Sequence, residues 1–165
     1  MADEHSFDMV CRVDLQEVSN AVVQTMKELA HRFDFKGSKS SADLDKGSGV
    51  ITLVSDDEMK LKSLLDVLQS KLIKRGVPLK ALTYGKVEPA AGSTVRQVIT
   101  LQQGIPQEKA KEIVKMVKDS KIKVITEIQK DQVRIRGKKI DDLQEVISLV
   151  RGHDFGIEIQ FINYR

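Results

Sequence analysis

Arg134, Arg136, Lys138 and Lys139 fall in the run Val133-Arg134-Ile135-Arg136-Gly137-Lys138-Lys139, which is the strongest phosphate-binding candidate in the chain. If Val133 and Ile135 face a core, strand alternation puts Arg134 and Arg136 on the opposite face. A guanidinium can grip phosphate with two N–H groups and can also stack on a base. Lys138 and Lys139 lead directly into a helix pattern, whose first N–H groups and dipole favour an anion. The equivalent earlier turn, Ser55-Asp56-Asp57-Glu58, would repel one. A solvated charged surface is the competing explanation of such a run.

A second cluster is Arg32-Phe33-Asp34-Phe35-Lys36-Gly37. Phe33 continues the apolar stripe Val18, Val22, Met26 and Leu29, and reads as core. Phe35 is the ring expected to contact a base beside Arg32 and Lys36, the aromatic-plus-basic pairing of nucleic-acid sites. A ring that merely plugs the end of the core is the alternative. Lys71, Lys74 and Arg75 close a helix, where cations offset the dipole.

Other chemistry finds little support. His5, His31 and His153 are scattered without cysteine partners or i,i+4 spacing, so no metal site is expected. No phosphate-loop, dinucleotide or nucleophile-elbow motif occurs. Cys11 alternates with apolar residues and reads as packing. No base-plus-nucleophile set stands out, so the expectation is a protein that binds rather than catalyses, with no cofactor.

The 165 residues carry a net charge of +3, unevenly placed. Residues 1–88 hold 13 basic against 14 acidic side chains, and residues 89–165 hold 14 against 10. A polyanion would be met mainly by the second half. No apolar run approaches the roughly 18 residues of a membrane span, and the opening MADEHSFD is acidic, unlike a signal peptide. With one cysteine, a reducing cytoplasm is the expected location.

The elements that must position these groups are written twice. Residues 38–75 read strand, tight turn, strand, helix, and residues 122–151 repeat that order. Each block follows a strand and a helix and precedes another strand, which predicts an α+β fold of two β-α-β-β-α-β units. Phe7 to Val13 opens the first, with Phe7, Met9, Cys11 and Val13 to one side and Asp8 and Arg12 to the other. Asp14 with Glu17, and Ser55 with Glu58, resemble capping boxes. Pro106 opens a third helix, and a fourth buries Ile140, Leu143, Ile147 and Val150. Glu88 to Thr94 has the composition of a linker, giving expected domains at 1–88 and 95–165.

The residues Ser6-Phe7-Asp8, Gln16-Glu17-Val18, Arg32 to Gly37, Lys74-Arg75-Gly76, and Gly137-Lys138-Lys139 followed by Asp141-Asp142-Leu143-Gln144 resemble the bacterial YajQ-like family over essentially the whole chain. The resemblance implies two tandem ferredoxin-like domains in a cytoplasmic nucleotide-binding protein. It also implies that the domains exchange first strands, Phe7 to Val13 completing the later sheet and Val95 to Gln103 the earlier. Nucleotides, cyclic dinucleotides and RNA are the ligands it suggests, with a regulatory protein partner and self-association compatible with them. RNA-recognition modules of this shape stack bases on rings of their central strands. Here those strands, Val50 to Val54 and Val133 to Arg136, carry no ring. A scaffold that acts through its sheet faces on other proteins, without a nucleotide, is the rival reading.

Overall fold

A computed structural model describes residues 4–165. In chain order the elements are β1 (His5–Val10), α1 (Leu15–His31), β2 (Ser41–Asp45), β3 (Val50–Ser55), α2 (Glu58–Lys74), β4 (Leu82–Tyr84), β5 (Glu88–Ala90), β6 (Thr94–Leu101), α3 (Gln107–Asp119), β7 (Ile125–Gln129), β8 (Gln132–Gly137), α4 (Ile140–Arg151) and β9 (Gln160–Ile162). The fold is α+β, with helices on one face of each of two antiparallel sheets.

The chain divides into two units, one spanning Val13–Gln102 and the other made of residues up to Arg12 together with Gln103–Arg165. In the Val13–Gln102 unit the sheet runs β2-β3-β6-β4, and β5 also pairs with β6. Ile51 lies opposite Ile99, and both are fully buried against Leu61, Leu64 and Leu68 of α2 and Val18 and Ala21 of α1. The stretch 88–94 is therefore a hairpin folded onto β6 and not a free linker. Its short strand and the turn after it hide that role in a composition of Pro, Gly and small residues.

In the other unit the sheet runs β7-β8-β1-β9. Phe7 faces Ile135 and Met9 faces Val133, and these four pack with Ile113, Val117 and Val146 in a second core. β1 is thus a central strand paired with elements far along the chain, and β6 fills the corresponding place in the first sheet. Val13 belongs to the core of the Val13–Gln102 unit, unlike Phe7, Met9 and Cys11. The single alternating stripe read along Phe7 to Val13 serves both cores.

Helix ends follow local chemistry. Asp14 caps α1 by accepting from the Gln16 N–H at 3.0 Å, but Glu17 accepts from Asn20 rather than closing a box. α2 is capped by Asp57, whose carboxylate accepts from the Lys60 N–H at 2.7 Å. Ser55 instead lies buried in β3 and shares a hydroxyl contact with Ser40. At the far end of α2, Gly76 takes φ +79°, with its N–H bonded to Ile73 O and that of Val77 to Leu72 O. This left-handed C-terminal cap is the geometry that favours glycine.

Candidate functional site

Of the cations on β8, Arg134 and Arg136 do lie on the face opposite Val133 and Ile135. Both are engaged there. Arg134 Nε donates to Asp8 Oδ1 at 2.8 Å and a second N–H reaches Oδ2 at 3.4 Å, while Asn163 donates to Oδ2 at 2.9 Å. Asp8 was expected on a solvent-facing side of β1, yet it is 1% exposed. The antiparallel register sets Asp8 opposite Arg134, so a charge that sequence alternation assigns to water is buried with its counterion. Hydrogen bonds from Arg134, against the cost of burial, hold the Asp8 carboxyl below the usual carboxylate range.

Arg136 forms an ion pair with Glu127 of the neighbouring strand, and its Nε is buried without a partner. Any phosphate would have to displace Asp8 or Glu127 to use these two groups fully. Lys138 and Lys139 are exposed. Lys139 precedes α4 without a side-chain cap, but Asp141 and Asp142 occupy its first turn and occupy the favourable dipole end themselves.

The Arg32 to Gly37 segment arranges its rings oppositely to the sequence expectation. α1 stops at His31; Arg32 is extended, and Phe33–Phe35 form one 3-10 turn. Helical periodicity therefore ends before Phe33, whose ring is 89% exposed. Phe35 is 5% exposed and joins the core, so it is not available to stack a base. Arg32 and Lys60 lie 5.4 and 5.1 Å from its ring centroid, capping it with two cations.

Arg32 is also tied to Asp34 by N–H bonds of 3.0 and 2.9 Å and to Glu28 at 3.4 Å. The Arg32 bonds hold the Asp34 carboxyl below its ordinary range. Glu28 also pairs with Lys71 at 2.8 Å, so it is shared between two cations and Asp34 is the chief counterion of Arg32. Lys36, by contrast, has no carboxylate partner among the described residues. Phe33, Lys36, His31 and the aliphatic end of α1 line one open depression of about 500 Å³.

An adjoining groove of about 510 Å³ between α1 and α2 is lined by Lys27, His31, Lys71 and Lys74. Read along the chain, Lys71 and Lys74 only offset the dipole of α2; their convergence with Lys27 of α1 depends on the packing of the two helices. No group of three or more His, Cys, Asp or Glu side chains suited to a metal occurs among the described residues. No helix among them is long and apolar enough to cross a membrane.

Comparison with known proteins places the chain. The family model described as nucleotide-binding protein YajQ-like matches residues 5–165. The chain belongs to that family. A relative from Desulfitobacterium hafniense is 61% identical over 165 residues, covering all of both chains. One from Koribacter versatilis is 59% identical over 165 residues, covering 100% of this chain and 99% of its own. One from Geotalea uraniireducens is 58% identical over 160 residues, covering 97% and 98%. All three bear the name nucleotide-binding protein.

Proposed function

We propose that this protein captures a phosphate-bearing nucleotide without transforming it, in the depression built by the Arg32 to Gly37 segment. The observation that carries the reading is the exposed ring of Phe33 standing in the same hollow as the ammonium of Lys36, which has no carboxylate partner among the described residues. A base stacked on an exposed ring recovers about 1–3 kcal/mol, and the neighbouring cations supply the phosphate contact. The names borne by close relatives support the ligand class. Lys27 and Lys74, in a groove that also holds Glu28, extend the cationic surface beyond the first hollow, which suits a cyclic dinucleotide or a short RNA as well as a mononucleotide. In the later unit, taken by itself, Lys138 and Lys139 are exposed cations for phosphate, and Arg134 and Arg136 join them only by exchanging Asp8 or Glu127 for it. The setting is cytoplasmic, and a regulatory protein reads the loaded state.

Thermal-shift screening of mono-, di- and cyclic nucleotides and short RNAs at two salt concentrations tests this. A stabilising ligand is expected, and Phe33→Ala or Lys36→Ala should reduce its affinity roughly tenfold, in line with the loss of about 1.4 kcal/mol per group. RNA binding in this mode must weaken as salt rises. No response to any nucleotide, or a response indifferent to Phe33 and Lys36, would refute the proposal.

A further inference from the structure

We infer that the unit containing α4 holds a second pocket, suited to a heteroaromatic phosphate of mononucleotide size. The inference rests on the nucleotide reading above for its ligand class and on separate residues for its site.

The pocket lies where α4 faces the paired ends of β1 and residues 164–165. Ser6 N–H donates to Arg165 O at 3.3 Å, and Arg165 N–H donates back to Ser6 O at 3.0 Å. That pairing brings His5, Tyr164 and Arg165 to one side of a cavity of about 610 Å³, whose other side is Ile140, Ile147 and Arg151 of α4. Such a volume is in the range of small-ligand sites, roughly 300–1,000 Å³.

The lining divides into a flat apolar part and a cationic part. Ile140 was expected to be buried but is 53% exposed, because the first turn of α4 overhangs the cavity rather than the core. Tyr164 packs on the buried ring of Phe7, 6.1 Å between centroids, and is still 61% exposed. Its ring is thus held from behind and free on the remainder, a surface on which a planar base can lie. Arg151 holds its guanidinium carbon 5.0 Å from the Phe161 ring centroid and has no carboxylate partner among the described residues. That contact holds the guanidinium beside the ring and leaves its N–H groups for a fork onto phosphate. Arg165 lines the opposite wall, tied there through its backbone, and its charge also acts on Asp8. An apolar shelf beside the Arg151 guanidinium matches a base joined to phosphate better than it matches an uncharged molecule.

Methyl spectra of the full chain carrying ¹³C-labelled isoleucine read this pocket directly through Ile140 and Ile147. Titration with GMP is expected to shift both methyls along one saturating curve. Guanosine and inorganic phosphate should each act at least tenfold more weakly. Arg151→Ala should abolish the two shifts, whereas Phe33→Ala and Lys36→Ala should leave them intact. Shifts at Ile140 and Ile147 that vanish in Phe33→Ala, or GMP binding that never moves them, would overturn this site. Saturation by octanoate at lower concentration than by GMP would overturn the ligand class. Persistence of the two shifts when Phe33 and Lys36 prove irrelevant to binding would instead sink the first proposal and keep this one.

Discussion

Arg134 grips the buried carboxylate of Asp8 with two N–H groups, and Asn163 adds a third donor. Removing Arg134 leaves an uncompensated buried charge, so Arg134→Ala should lower the urea midpoint well beyond Arg136→Ala, whose partner Glu127 can turn to water. Asp8→Ala, which strands the amide of Asn163, should cost about 2 kcal/mol. The pH dependence follows from the lowered Asp8 carboxyl. Its stabilisation is fully present above the unfolded value of about 3.9 and is lost as pH falls toward the folded value. Acid unfolding curves of the natural chain and of Asp8→Asn should therefore converge only below about pH 4; parallel curves down to pH 2 would contradict the buried pair. Phe33 and Phe35 make the complementary pair at this scale. Phe35→Ala should destabilise by about 3 kcal/mol as a core truncation, while Phe33→Ala should leave the unfolding midpoint almost unchanged and act on ligand alone.

Among the elements, α2 ends in a cap that can be tested cleanly. A Cβ at Gly76 would meet nothing within 4 Å, so Gly76→Ala reports only the left-handed backbone at φ +79°. The expected loss is about 1 kcal/mol, with Gly76→Asn milder. The repeating strand and helix pattern, with its four helices among the described residues, was legible because it depends on neighbours two to four residues away. What was not legible came from long-range pairing or from where a period stops. Asp8 reads as a surface charge until β8 is set beside it. Phe33 reads as core until Arg32 turns extended and ends α1. Glu88 to Thr94 reads as a tether because its strand, β5, has only three residues. The candidate sites suffer most from this. Arg134 and Arg136 were placed on the right face, but no local signal could reveal that Asp8 and Glu127 hold them. Arg151 and Tyr164 carry no local signal and Ile140 reads as core, because the convergence of the three depends on residues 164–165 pairing with β1.

At the scale of the whole molecule, the unit Val13–Gln102 contains its complete sheet and core in one contiguous stretch. Residues 13–102 made alone should fold cooperatively, with a single thermal transition followed by circular dichroism. Residues 1–88 lack β6, the strand between β3 and β4, and should remain unfolded. A cooperative transition from 1–88 would mean that the sheet tolerates losing its centre. The placement of β1 also bears on birth at the ribosome. Its neighbour β8 is translated roughly 125 residues later, a delay on the order of ten seconds at cellular elongation rates. During that interval the nascent His5–Val10 segment waits with both hydrogen-bonding rims unmet, while the intervening unit has time to consolidate. Chaperone capture of stalled nascent chains should accordingly peak before Gly137 emerges and fall once it has.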